Sequence, residues 1–273
     1  MMPRPRSSEW LVIAYFLYVA AIAPFYIAAP WRAWVLAAAV AGGLGLASLG
    51  RPTFRDLAPL AATLAAYREM NWFTPAVRDH HLERAWIVWD RLLLDGHGVR
   101  AAIEKTGAIL PGYLEFCYLL VYAVGPVVVA AAIFSERRHR TDHLWMAYLA
   151  GTLGAYALFP YFPSEPPRTA FPGADLPHVV TMLRQISLWI VGGYGIHSSV
   201  FPSAHVSSAF SAAWGLLTVM KEHRWMGWAM LAYAVSVSVA TVYGRYHYGV
   251  DALAGFAVSL LAIPAARLAF ERT

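Results

Sequence analysis

The sequence predicts an all-α fold: a polytopic membrane helix bundle of about eight spans with one interfacial amphipathic helix. Three observations carry that prediction. Of 273 residues, 59% are hydrophobic and only 14% are charged, against about 25% charged in soluble domains. The mean hydropathy is +0.49. Apolar runs also recur along the chain at close to the ~20 residues that a spanning helix needs. Charge this sparse cannot cover a soluble surface.

Taken from the N-terminus, the opening "MMPRPRSSEW" is basic and precedes an apolar run at 10–29. It lacks a small-residue cleavage site, and Trp31 and Arg32 follow closely, so an uncleaved first span is expected rather than a signal peptide. A second run covers 33–49. The stretch "RDLAPLAATLAAYREMNWF" at 55–73 is short and ends in Arg68 and Glu69. Five further runs lie at 112–134, 143–160, 203–220, 225–243 and 249–268.

Charge decides whether 55–73 crosses. Basic clusters lie at Arg4 and Arg6, at Arg51 and Arg55, in "ERRHR" (136–140), in "KEHR" (221–224), and at Arg267 and Arg272. All of them fall on one side, as the positive-inside rule requires, only if 55–73 spans. Eight spans with both termini cytoplasmic follow. The same bias accounts for the net charge of +5 and the pI near 9.4 without a nucleic-acid partner. No basic stripe with interleaved aromatics stands apart from the spans.

The segment 81–105 mixes charged residues with Trp86, Trp89 and Leu92–Leu94. It is too charged to span and fits an amphipathic helix lying at the interface. The chain reads as one integral-membrane domain, 1–273. Residues 1–110 supply N-terminal spans and the interfacial helix, and 111–273 supply the core that carries the chemistry. The long non-spanning stretches 74–110 and 161–202 share the extracytoplasmic side with the turn at 244–248. Cys117, the only cysteine, excludes an intramolecular disulfide and reads as a packing residue.

Three polar patterns sit at span ends on that side: "PYFPSEPPR" (160–168), "FPSAH" (201–205) and "YGRYHYGVD" (243–251). His247 and Asp251, four apart, share a helix face. A carboxylate holding one ring nitrogen leaves the other free as nucleophile or base. Pro202 suits the first position of a helix, whose free amides, with Ser203, attract an anion such as phosphate. His205 then stands where it can donate a proton. Arg168 can grip phosphate oxygens with its planar fork.

Each residue also has a bland reading. The histidines fit solvated interfacial residues, and His247–Asp251 fits a structural pair. Arg168 fits a headgroup contact, and Ser203 a simple cap. The functional reading rests on all three patterns meeting on one face.

"PSAH" followed by "RYHYGVDALAG" resembles the type-2 phosphatidic acid phosphatase superfamily, which also includes vanadium haloperoxidases. Its pattern is KxxxxxxRP, then PSGH, then SRxxxxxHxxxD. Pro202, Ser203, Ala204 and His205 match PSGH with alanine for glycine, and His247 and Asp251 match HxxxD. The resemblance covers about the last 160 residues. Tyr161 replaces the lysine, Thr169 the proline, and Thr241 the arginine six before His247; Arg245 is a candidate substitute. These departures, and "PSEPPR" (163–168), resemble the branch of inositol phosphorylceramide synthases, although Glu165 departs even from that form.

The resemblance implies His247 as the nucleophile that becomes a phosphohistidine, Asp251 as its orienting partner, and His205 as acid and then base. It implies Arg168, Ser203 and Arg245 as phosphoryl ligands. The substrate class would be a phospholipid or a polyprenyl or sphingolipid-type phosphoester. No cofactor or metal is expected, since arginine and amides can supply the charge stabilisation and no HExxH, carboxylate cluster or Cys pair is present. The competing reading is a transporter or channel with a polar His/Asp/Arg path, which would place these residues near the bilayer midplane. A haloperoxidase is disfavoured by the apolar composition.

Overall fold

The computed structural model describes residues 5–77, 79–173 and 175–270. Among these, secondary structure is entirely helical. The order is α1 (Ser7–Tyr26), α2 (Trp31–Leu49), α3 (Pro52–Met70), α4 (His81–Arg91), α5 (Val99–Glu104), α6 (Ile109–Leu120), α7 (Val124–Phe134), α8 (Thr141–Leu158), α9 (Pro167–Ala170), α10 (Met182–Tyr194), α11 (Ala204–Val219), α12 (Arg224–Tyr243), α13 (Gly249–Ser259) and α14 (Ala262–Phe270). A helical segment covers each of the eight expected runs.

Among the described residues, five segments are long and apolar enough to cross a membrane: Ser7–Tyr26, Trp31–Leu49, Ile109–Phe134, Lys221–Tyr243 and Gly249–Ala269. Several such helices fit a multi-pass membrane protein. Helices α3, α8 and α11 are not among the five. Helix α11 has 16 residues, short of a full span, and α8 and α11 share a position inside the bundle. Both are buried over most of their length, with α11 against α8 and α12, and α8 also against α14 and α1. A helix surrounded by protein need not be apolar all round. Their faces carry small and hydroxylated residues instead, which let backbones approach closely. A Cβ on Gly215 of α11 would stand 2.8 Å from the Ala147 Cβ of α8.

One end of the bundle gathers the basic clusters. Asp56 accepts from Arg6 and Arg138, each at 2.6 Å, and Glu9 accepts from Arg55 at 2.6 Å. Glu222 accepts from Arg140 at 2.7 Å. Asp142 caps α1 through the Ser7 and Ser8 amides, both at 3.0 Å. Arg4 and Arg272 lie outside the described residues. The opposite end gathers α4, α5, α9, α10 and the 244–248 turn.

The structure corrects three details. The segment 81–105, expected as one interfacial helix, is two helices, because the wide turn at 92–96 and Gly98, in the left-handed region (φ +70), separate α4 from α5. The stretch 161–202 contains α9 and α10, the latter started by the Thr181 hydroxyl accepting from the Arg184 amide at 3.1 Å. Helix α11 starts at Ala204 with Ser203 as its cap, so Pro202 precedes the cap and is not the first helical residue.

Candidate active site

Residues from three separate segments meet at the end that carries α4 and α10. Arg168 comes from α9. His205 sits in the first turn of α11, and His247 in the turn between α12 and α13. The His205 and His247 rings stand edge to face with centroids 5.5 Å apart. A cavity of about 60 Å³ is lined by both imidazoles, Arg168, Ala204 and the rings of Tyr118 and Tyr246. That volume exceeds the minimum for a single water several times over and suits a small polyatomic anion.

His247 is oriented from behind. Its Nδ1 lies 2.9 Å from the Val200 carbonyl and 3.3 Å from Asp251 Oδ2. Donation from Nδ1–H to these oxygens leaves Nε2 with its lone pair free. Burial, reinforced by the Arg168 charge, pushes the imidazole down from 6.5 to about 3. The ring is therefore neutral at physiological pH. The backbone bond to Val200 is shorter than the carboxylate bond, so the 200–201 loop shares the orienting role expected of Asp251. Asp251 also holds the turn, accepting from the Tyr248 amide at 2.8 Å and from the Ser203 amide at its own carbonyl at 2.9 Å.

His205 packs between aromatic rings, 5.3 Å from Tyr118 and 5.9 Å from Tyr122. Ser203 is fully buried and its hydroxyl accepts from the Val206 amide. It caps α11 and does not line the cavity. The amides of Ala204 and His205 remain at the opening of that 16-residue helix, where the helix field favours an anion.

Arg168 is fixed through its backbone, its amide donating to the Arg245 carbonyl at 3.1 Å. Its guanidinium lies 5.4 Å from the Tyr246 ring centroid. Among the described residues no carboxylate pairs with it, which leaves its charge directed to the cavity. Arg245 is placed differently. It is buried, with φ +63, and donates to Asp90 Oδ2 at 2.7 Å; it does not line the cavity. Thr241, where the resembling pattern has arginine, is buried and its carbonyl accepts from the Tyr246 and His247 amides. Tyr161 is partly exposed and bonded to the Tyr18 hydroxyl at 2.8 Å.

Sequence reasoning missed the second layer. From α4, Asp90 Oδ1 accepts from the Gly249 amide at 2.9 Å, and Glu83 accepts from the Glu165 amide at 2.9 Å. Helix α4 thus holds both the turn that carries His247 and the loop that carries Arg168. From α6, Glu115 accepts from the Tyr246 hydroxyl at 2.7 Å and from Arg184 at 2.8 Å. Tyr118 stacks on Tyr246 with centroids 3.7 Å apart. Glu115 was the available signal: an acid inside an apolar run requires a partner.

A family model described as the PAP2 superfamily matches residues 88–265. No curated protein and no solved structure matches the chain.

Proposed function

The chain belongs to the PAP2 superfamily, and from that premise we propose that it is an integral-membrane enzyme that cleaves or transfers a lipid-linked phosphoester through a phosphohistidine at His247. Membership of that superfamily points to lipid phosphatase-like chemistry in a membrane protein. The observation that carries the finer reading is the single small cavity shared by two imidazoles and the Arg168 guanidinium, which pairs with no carboxylate among the described residues.

In the first step His247 Nε2 attacks phosphorus. The bond from phosphorus to the lipid alcohol oxygen breaks, and that oxygen takes the proton carried by His205. Arg168 and the first amides of α11 face the phosphoryl oxygens, whose charge grows in the transition state. In the second step neutral His205 removes the proton of an acceptor hydroxyl, whose oxygen bonds to phosphorus as the N–P bond breaks. Water as acceptor gives hydrolysis. A lipid hydroxyl gives headgroup transfer of the inositol phosphorylceramide synthase kind, which the "PSEPPR" segment and Thr241 favour. Asp251 and the Val200 carbonyl hold the ring and stabilise its developing charge. Ser203 acts through the cap of α11, and Arg245 through the backbone that anchors Arg168.

We place eight crossings in the membrane, with both termini cytoplasmic and the site extracytoplasmic. A transporter path is disfavoured because these residues lie at helix starts and turns rather than at mid-helix. The test is a substrate panel on purified protein in detergent: phosphatidic acid, a polyprenyl diphosphate, and phosphatidylinositol with and without a ceramide or diacylglycerol acceptor. Phosphate release and headgroup transfer are followed separately. Turnover of at least one substrate, abolished in His247→Ala, is expected; full activity in that variant would overturn the mechanism.

A further inference from the structure

Three cavities bear on where the hydrocarbon of a substrate goes, and the largest is not the best placed. A cavity of about 1070 Å³ opens between the interfacial helices and α12–α13, but neither His205 nor His247 nor Arg168 lines it. A cavity of about 360 Å³ lies between α3, α6–α7, α8 and α10, within the size range of ligand sites. His205, Tyr67 and Tyr156 line both this cavity and the small one that holds His247 and Arg168. The rest of its wall is mostly apolar, with Leu60 and Leu64 from α3 and Gly125 from α7. Gly125 keeps α7 close to α3: a Cβ there would stand 2.9 Å from Leu60 Cδ2.

In-line displacement gives the two cavities different duties. His247 attacks from one side of phosphorus, so the alcohol leaves on the opposite side, where His205 protonates it. An acceptor must later enter by that same side. We infer that the 360 Å³ cavity is the binding site for the hydrocarbon of the lipid alcohol, leaving or entering, and that α3 is its specificity-determining wall. This rests on the proposed function. It goes further, because α3 lies outside the 88–265 region matched by the family and so assigns a substrate-binding role to the N-terminal part of the chain. Arg68, which donates to the Tyr194 carbonyl at 2.9 Å, stands at the polar end of this wall and keeps α3 against α10.

The test compares two phosphate monoesters on the full-length protein in detergent: dioleoyl phosphatidic acid and water-soluble p-nitrophenyl phosphate. Leu64→Trp and Thr63→Phe each fill the cavity from the α3 side without touching the phosphoryl site. Each is expected to lower kcat/KM for the long-chain substrate by at least about tenfold and to leave that for the soluble ester within about twofold. The soluble ester also reports that the variants are folded. Val239→Trp, which fills the larger cavity, is expected to leave both within about twofold. Equal loss on both substrates in the α3 variants, no loss on either, or a selective long-chain loss in Val239→Trp instead would overturn the assignment. If the wild type turns over only phosphatidylinositol, the same comparison is made between its dioleoyl and dihexanoyl forms; if it turns over no substrate of the panel, it is the proposed function that fails.

Discussion

At the end that gathers the basic clusters, acids take up the arginines that tie helices together: Asp56 takes Arg6 and Arg138, Glu9 takes Arg55, and Glu222 takes Arg140. At the opposite end Asp90 takes Arg245 and Glu115 takes Arg184, but Arg168 faces an aromatic ring, two imidazoles and a cavity. Pairing cancels charge and fixes helices to one another. A cation left over beside two histidines has binding capacity to spare, and the neighbouring ion pairs serve to aim it. The same side chain is structural or functional according to whether its counter-charge comes from the fold.

After the abolished turnover expected of His247→Ala, the largest effect that would break this contrast is at His205. His205→Ala is expected to lower turnover by about 10²–10⁴-fold, the usual contribution of a general acid or base, with little change in thermal stability. Arg168→Lys comes next. It keeps the charge but loses the planar fork, and kcat/KM measured on the substrate panel should fall while the fold persists. Asp90→Asn should be chiefly destabilising, by about 3–5 kcal/mol as a broken buried pair, measured by denaturation in detergent. Its turnover loss should follow from the displaced 244–249 turn. The double variant Asp90→Asn/Arg245→Gln should recover part of both losses.

Smaller still is a pH effect on stability. His247 is buried in its neutral form with its pKa moved down to about 3. The unfolded chain therefore binds a proton below about 6.5 that the folded protein refuses, so stability should fall as pH drops from 6.5 towards 3. Melting curves should show a shallower acid slope in His247→Gln. At the other end of the bundle, Glu222→Gln should leave turnover unchanged, because the pair is exposed and remote from the cavity.

Helix positions were legible because lipid imposes a length and an apolarity that composition displays directly. The polar end was legible only in part. His205, His247 and Asp251 lie close to helix starts, where spacing has a geometric meaning, and Arg168 follows a stiff proline run. Arg245 was not legible: proximity to His247 in the chain suggested the cavity, whereas its left-handed backbone turns the side chain to Asp90. The roles of Asp90, Glu83 and Glu115 depend on contacts across more than 80 residues of chain. No local pattern encodes such a distance. Likewise α10 was hidden in 161–202, because 13 residues of mixed polarity resemble neither a span nor a loop.

A covalent bond between phosphorus and His247 Nε2 can be trapped. Protein incubated with substrate labelled at the reacting phosphorus is quenched in alkali, digested and mapped. Acid-labile, alkali-stable label is expected on the peptide containing His247, missing from His247→Ala and still formed, more slowly, by His205→Ala. Label on another residue, or substrate turnover by His247→Ala, would contradict it.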